Sequence, residues 1–309
     1  MLRYVGARLV MAVPVLLGVT ILVFSMLYLL PGDPVQAMLG ESATSAEHVE
    51  RLRRELGLDD PIYVQYARFL GNALRGDLGR SLVSRHQVLD EILSQFPATA
   101  ELALASMAIA VIVGVTLGVL AAIRQNSWLD TLSMFVALLG VSMPGFWLGL
   151  MLIFFFSLRL GWFPATGQGG PERLILPATA LGIGAAAIIA RLTRSSMVEV
   201  LRQEYVTTAR AKGLAEHVVI LRHALQNALI PVVTMVGLQF GYLLAGAVII
   251  ETVFARQGIG RLIITSILAK DFPLVQGAVL FTACLYVLVN LLVDISYAVL
   301  DPRIRYGAK

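Results

Sequence analysis

Six stretches of this chain run for about twenty residues without a charge, and that pattern excludes most folds. They are residues 9–30, 102–123, 131–158, 174–190, 228–250 and 272–293. A helix needs about 20 apolar residues to cross a bilayer, where each backbone polar group must be satisfied inside the helix. A buried core helix of a soluble protein can imitate one such stretch, but six in one chain defeat that reading. Charged residues are 14% of the chain and apolar residues 58%. Soluble domains carry about 25% charged residues, so too few remain here to cover a water-facing surface. The expected fold class is an all-α integral membrane protein with six transmembrane helices.

Details within the stretches add shape. The third is long and contains Pro144-Gly145, which predicts a kink or tilt. The fourth is short, with Pro177 assigned to its first turn. The first is too long for the apolar region of a secretory signal and is followed by Pro31-Gly32-Asp33-Pro34 instead of an Ala-x-Ala site, so it reads as a retained anchor. Cys284, the only cysteine, lies in the sixth stretch and permits neither an intrachain disulfide nor a thiolate metal cage.

Basic residues set the expected orientation. With the N-terminus in the cytoplasm, the inner side holds Arg3, Arg8, Arg124, Arg191, Arg194, Arg202, Arg210, Lys212, Arg222, Arg303, Arg305 and Lys309. The short outer loops hold Arg159, Arg173, Arg256, Arg261 and Lys270, twelve against five. Long segments cross largely regardless of charge, so residues 31–97 are left out of this comparison. The bias predicts both termini inside. The net charge of +4 is spread over loops and does not point to nucleic acid.

The chain divides into a tail and first transmembrane helix (1–30), an extracytoplasmic helical cap (31–97) and a five-helix core (98–309) with a cytoplasmic loop at 194–227. In the cap, Thr44 and Glu47 have capping-box spacing, with Val49, Leu52 and Leu56 following at helical spacing and Gly57 at the stop. Asp60-Pro61 opens a second helix with Tyr66, Phe69, Leu70 and Leu74 on its apolar side. A third piece places Val88, Leu89, Ile92, Leu93 and Phe96 on one side, and Pro97 begins the second span. In the inner loop, Met197, Val200, Leu201 and Tyr205 fit one helical face, Gly213 breaks the pattern, and Val218, Val219 and Leu225 begin another helix. A basic, partly apolar inner loop fits either anionic lipid or a protein groove. In the outer stretch 251–271, Gly258 and Gly260 predict a turn feeding a short helix.

The chain has no Gly-Lys dipeptide and hence no phosphate loop, no His-Glu-x-x-His run and no Gly-x-Ser-x-Gly elbow. His48, His86, His217 and His223 are scattered, and read as solvated or docking-surface side chains. Glu101, Asp130, Glu251 and Asp294 sit at or near span ends, which weighs against a proton relay or an acidic channel ring. A secondary transporter or channel acting alone, or a membrane scaffold or sensor, are the rival classes. Met143, Pro144, Gly182, Gly184, Gln239 and Gly246 are candidates to line a cavity, with ordinary helix packing as the competing explanation.

The inner loop reads Glu204-Tyr205-Val206-Thr207-Thr208-Ala209-Arg210-Ala211-Lys212-Gly213-Leu214 and continues to His223-Ala224-Leu225-Gln226-Asn227-Ala228 and Pro231. It resembles the ATPase-docking loop of binding-protein-dependent permeases of ATP-binding-cassette importers. Ala209 and Gly213 match that loop's small residues, while Thr207 and Thr208 stand where Glu and Ala are usual. The Ala-Arg-Ala-Lys-Gly form is similar to the dipeptide, oligopeptide and nickel branch. So are Leu30-Pro31-Gly32-Asp33-Pro34, the run from Glu55 to Pro61 with Gln65-Tyr66, Gly76-Asp77-Leu78-Gly79 with Ser81, and Asp301-Pro302-Arg303-Ile304-Arg305, all in the family's order.

The resemblance implies a type I importer permease fold in the bacterial inner membrane, working by alternating access. It implies a second homologous permease, two cytoplasmic ATPase subunits that hold ATP-Mg, and an extracytoplasmic substrate-binding protein. It implies no cofactor and no catalysis on this chain. Glu204, Tyr205, Ala209, Arg210, Ala211, Lys212, Gly213 and Leu214 become the expected ATPase-docking residues. The cap and the stretch 251–271 become the expected seat of the binding protein. The cargo is expected to be a dipeptide, oligopeptide or glutathione-like peptide, with chelated nickel as the alternative.

Overall fold

The computed structural model of the protein describes residues 2–29, 50, 53, 54 and 59–300. In order, the helices are α1 (Leu2–Leu29), α2 (Ile62–Leu74), α3 (Val88–Ile123), α4 (Trp128–Ser142) and α5 (Gly145–Leu152, continued by the π-helical Ile153–Arg159). Then come α6 (Glu172–Leu201), α7 (Glu204–Ala211), α8 (Leu225–Val253), α9 (Ile259–Leu268) and α10 (Phe272–Leu300). Helix α8 is reached through Glu216–Val218 and the π-helical Val219–Ala224. Among the described residues the extended pairing is one isolated bridge, Arg80 to Gln87. Five helices are long and apolar enough to cross a membrane, and six if the bent pair α4 and α5 counts as one span. The expected capping box at Thr44 and Glu47, and the helix around Val49, Leu52 and Leu56, lie outside the described residues, as does the Asp294 side chain.

Two compact units divide the chain, one over 98–257 with the stretch from 289, the other over the described residues within 2–97 and over 258–288. In the first, α6 is the central element. It buries Ala178, Ala180, Gly182, Ala185, Ala186, Ala187 and Ala190. Small side chains let helix backbones meet, which in lipid replaces the hydrophobic drive that assembles soluble helices. A Cβ on Gly114 of α3 would lie 2.7 Å from the Ala186 carbonyl oxygen, and one on Gly118 would lie 2.6 Å from that of Ala190. The approach is reciprocal at Gly182, where a Cβ would meet the Ser106 carbonyl oxygen at 2.5 Å.

The expected kink at Pro144-Gly145 is a break of 106° between α4 and α5. Proline lacks an N–H and drives the residue before it out of helical conformation. Met143 is accordingly extended, with φ −85° and ψ 128°. The α4–α5 pair nonetheless passes from one end of its unit to the other. Asp130 at its start accepts from Arg194 near the C-terminal end of α6, while Phe156 and Phe163 beyond the break pack with Leu174 and Phe254 at the opposite end.

Four prolines lie inside helices, Pro14 of α1 among them. Pro97 is within α3, which is continuous from Val88, so the expected third piece of the cap is the first turns of that helix. Val88 and Ile92 are buried there and Leu93 is exposed. Pro177 lies in the second turn of α6, and Pro231 within α8. The fourth span also runs on to Leu201, well past its apolar stretch, because Thr193 and Met197 are buried by packing. Helix α6 ends there, so Tyr205 does not share a helix with Met197 as its spacing predicted.

In the second unit, α2 lies along α1. The Tyr66 and Thr20 hydroxyls are 2.9 Å apart, the Tyr28 hydroxyl donates to the Gln65 Oε1, and the Phe24 ring meets those of Tyr66 and Phe69. Leu74, expected on the apolar side of α2, is exposed. A separate core gathers Val88, Ile92, Ile259, Leu274 and Ala278.

The glycine contacts make a direct prediction. Gly118→Val places a branched side chain against the Ala190 carbonyl and Thr193, an overpacking that costs about 1–3 kcal/mol. Thermal unfolding in detergent should show a lower midpoint than the parent chain, and an unchanged midpoint would mean that α3 and α6 do not approach this closely.

Candidate functional site

The eight residues singled out in the inner loop fall on one small element. Helix α7 starts after Gln203, which is extended (φ −73°, ψ 148°), and carries Glu204 in its first turn and Arg210 in its last. Both charges suit the helix dipole. It ends in a glycine cap, with the Lys212 N–H donating to the Thr208 carbonyl and the Gly213 N–H to that of Arg210. Gly213 has φ +78°, the left-handed conformation that favours glycine. No atom lies within 4 Å of where its Cβ would stand, so backbone conformation, not space, requires glycine here.

Helix α7 faces two ways. Val206 and Ala209 turn inward onto Val219, with Val200 and Leu201 of α6 packed alongside. Ala209, expected among the docking residues, is buried in this packing. Glu204, Tyr205, Arg210, Ala211, Lys212, Gly213 and Leu214 are exposed. Thr207 and Thr208, the two departures from the family's usual loop, are exposed as well.

Two fastenings fix α7 to the approach and the first turn of α8. Arg210 donates to Glu216 through both Nη2 (2.7 Å) and Nε (3.2 Å), a bidentate pair. That hydrogen bond holds the Arg210 pKa above its ordinary value, so the guanidinium stays charged. The Asn227 Nδ2 donates to the Tyr205 hydroxyl at 3.0 Å and to the His223 carbonyl at 2.9 Å. Sequence patterning did not single out Glu216 or Asn227 as fasteners. Their signal was available in the six-residue spacing from Arg210 to Glu216, but only a turn at Gly213 brings such a pair together. Leu221, on the π-helical stretch, is exposed, as are Tyr205 and Leu214.

At the same end, Arg194 grips Asp130 through Nε (2.5 Å) and Nη2 (2.6 Å), and Asp130 also accepts from the Asn126 N–H at 3.0 Å. The opposite end of the unit has its own polar cluster. Glu251 is fully buried and accepts from the Thr99 hydroxyl at 2.6 Å. Arg256, 1% exposed, donates to Glu101 at 2.8 Å and to the Arg173 carbonyl at 3.5 Å. That carbonyl is the one Pro177 cannot bond, four residues on. The acids expected at span ends are thus structural fastenings where their side chains are described.

A cavity of about 460 Å³ opens at the α4–α5 break. Met143, Pro144, Phe146, Leu148, Gly184, Gly246 and Ile249 are among its lining residues, and no lining residue is ionisable. Four of the six candidate cavity residues, Met143, Pro144, Gly184 and Gly246, are there. Gly182 instead sits against α3, and the buried Gln239 is not part of the lining. The described residues contain no group of three or more His, Cys, Asp or Glu placed to hold a metal ion.

Comparison with known proteins places this geometry. Residues 114–306 match the family model of the binding-protein-dependent transport system inner membrane component, and residues 1–103 match the model of the N-terminal part of such components. The chain is 47% identical over 306 residues to the glutathione transport system permease protein GsiC of Escherichia coli, covering 99% of this chain and all of the relative. It is 46% identical to the dipeptide transport system permease protein DppB of Alkalihalophilus pseudofirmus, covering 99% of this chain and all of that protein. Among solved structures it resembles the methionine transporter MetNI in inward-facing form, with a TM-score of 0.59 over 68% of this chain and 96% of that one, at 17% identity. That likeness is one of fold.

The glycine cap yields a test of the element itself. A valine at 213 would have to adopt a left-handed conformation that costs an L-residue roughly 1–2 kcal/mol. Hydrogen exchange of the α7 amides should quicken about tenfold or more in Gly213→Val, and less in Gly213→Asn, since asparagine tolerates this conformation. Equal exchange in all three chains would show that the cap does not hold α7.

Proposed function

The chain belongs to the family of binding-protein-dependent transport system inner membrane components, and from that premise we propose that it is the permease subunit of an ATP-driven importer of short peptides. Its cargo is di- or oligopeptides, glutathione-like peptides included. The observation that carries the cargo is full-length similarity to two relatives named for glutathione and dipeptide transport. The observation that carries the mechanism is α7, an exposed helix fastened at once to the end of α6 and the start of α8.

ATP hydrolysis takes place on two separate subunits, which hold ATP-Mg, and catalysis is no task of this chain. Tyr205, Arg210, Ala211, Lys212, Gly213, Leu214 and Glu204 form the surface seated in an ATPase groove. Closure of the ATPases displaces α7, and the fastenings pass the displacement to two long helices together. A second, homologous permease completes the path, and alternating access follows from ligand-dependent preference for the inward or outward arrangement. The bent α4–α5 pair counts as one span in this reading, which makes six. Support comes from its course from the α7 end of its unit to the other end. The excess of basic residues on the α7 side supports both termini in the cytoplasm. The cavity at the break forms part of the path, offering apolar side chains and backbone to a peptide whose identity is selected by the binding protein.

The deciding measurement is the ATPase rate of the complex in liposomes with its loaded binding protein. Mixed short peptides should stimulate it several-fold and a nickel chelate should not. Stimulation by the chelate alone would keep the importer and overturn the cargo. In the same assay Gly213→Val should insert normally yet lose ATPase subunits on purification, whereas a transporter acting alone would be indifferent to the change.

A further inference from the structure

Helix α2 rests on residues of α1 that belong to its membrane span. The apolar span of α1 covers Arg8–Met26. Within it, the Thr20 hydroxyl stands 2.9 Å from that of Tyr66, and the Phe24 ring lies 5.5 Å from that of Tyr66 and 5.9 Å from that of Phe69. At 1.5 Å per residue, Thr20 is about 9 Å inside the end of the span. The contact between the two helices is therefore at the depth of hydrocarbon and not of water.

The two helices do not close on each other completely. Between them is a pocket of about 550 Å³, walled by Ile21, Phe24, Ser25 and Tyr28 of α1 and by Ile62, Tyr63 and Tyr66 of α2. No lining residue carries a charge at neutral pH. Most of its polar atoms are engaged within the protein. The Tyr28 hydroxyl donates to Gln65 Oε1, the Tyr66 hydroxyl is bonded with that of Thr20, and the Ser25 hydroxyl donates to the Ile21 carbonyl at 2.7 Å. What remains for an occupant is ring and aliphatic carbon. The exception is Tyr63, which is 74% exposed and whose hydroxyl has no partner among the described residues.

We infer that this pocket holds one acyl chain of a membrane phospholipid. The inference goes beyond the transport reading, since it needs the chain in a bilayer and nothing of the cargo. In the proposed topology the lipid belongs to the outer leaflet.

Three observations select this occupant. The first is depth, because Ile21, Phe24 and Ser25 are residues of the span and a water-soluble partner does not enter hydrocarbon. The second is continuity. Leu17, Ile21 and Leu22 are exposed along α1, so the pocket is a recess of a surface that already faces acyl chains. Left empty, the recess would forfeit dispersion contacts on every wall, and water would find too few polar partners to enter it. The third is size. A helix of a partner subunit, about 10–12 Å across, would fit less than about two turns into this volume, whereas an acyl chain is thin and flexible. The tyrosines complete the arrangement. Aromatic side chains with a polar tip gather where a span meets the headgroups, and Tyr63 brings its free hydroxyl to that level beside Tyr28.

The test uses the full chain, alone and with its partner subunits, in vesicles of phosphatidylethanolamine and phosphatidylglycerol whose acyl chains carry a photoreactive diazirine. Irradiation in the vesicle should mark lipid-facing helices generally, including α4 at its exposed Leu132 and Leu139. Irradiation after extraction into maltoside detergent and washing should still mark α1 and α2 at the pocket and no longer mark α4. Ser25→Trp fills the pocket from its α1 wall and should lower the retained adduct about fivefold or more, the scale of an overpacked site. Ser25→Ala keeps the space and should match the parent. Marking of α4 in the vesicle reports that a variant is inserted and folded, and if Ser25→Trp fails that control, the smaller filling Ser25→Leu decides in its place. Adduct at α2 that washes away as readily as that at α4 overturns the proposal, leaving contact with bulk lipid only. An equal retained yield in the filled variant overturns it as well. So does adduct found on the chain alone but missing from the complete complex, which assigns the pocket to a partner subunit. None of these outcomes moves the cargo reading, which the ATPase assay decides separately.

Discussion

Backbone-to-backbone contact along α6 is the interaction on which the rest of this structure depends. In hydrocarbon no apolar side chain gains by leaving lipid for protein, so helices associate where their surfaces fit closely. Helix α6 supplies that fit through its alanines and Gly182, and its neighbours answer with Gly114, Gly118 and Gly140. The contact holds the helix rigidly enough to continue to Leu201, beyond its apolar stretch, with Thr193 and Met197 buried on the way. In the proposed function, the lever packed on the end of α6 has this helix as its shaft.

The polar fastenings sit at the two ends of that shaft, where their energetic cost is lowest. Placing a charge at the middle of a span costs about 2.5–3.5 kcal/mol on insertion scales. At the α7 end, Asp130 with Arg194 ties α4 to α6, and Arg210 with Glu216 ties α7 to the approach to α8. At the other end Arg256 gathers the Glu101 carboxylate of α3 and the carbonyl that Pro177 leaves without a helical partner. Its Nε has no partner among the described residues. Between the two ends no ion pair is present among the described residues, and the 106° break and its cavity lie there. In the proposed function, ends tied by ion pairs let one end be driven without dismantling the bundle.

Much of this was legible in the sequence because it depends on local rules. Charge-free runs of span length give helices, Gly213 gives a helix stop, and Pro144-Gly145 gives a bend. The size of that bend was not legible, since it depends on what α5 packs against once proline has released it. Pro97 and Pro177 were misplaced for a related reason. Proline is read as a helix start because it lacks an N–H, yet within a bundle neighbouring groups satisfy the freed carbonyl, as Arg256 does for Arg173. The burial of Arg256 was equally hidden. Its partners come from residues 101 and 173, and a pattern within one segment carries no trace of them. In the inner loop, spacing picked out the residues of α7 and its glycine cap but not which way they face. Ala209 belongs to the inner face because α7 folds back against Val219, a consequence of the turn that Gly213 permits.

The chemistry of the proposed path also explains why so little of the cargo is written in this chain. A peptide backbone carries donors and acceptors that any peptide shares, whereas side-chain recognition needs a placed charge or pocket. The cavity at the α4–α5 break is lined without an ionisable group. Such a surface touches many peptides with similar, modest strength. Passage requires that strength, because a path that bound its cargo tightly would hold it at every turnover. Discrimination then belongs to a component that binds and lets go under external control. The exposed charges of α7 and its cap, Glu204, Arg210 and Lys212, are no part of that cavity. Its lining therefore says less about the cargo than a charged pocket would.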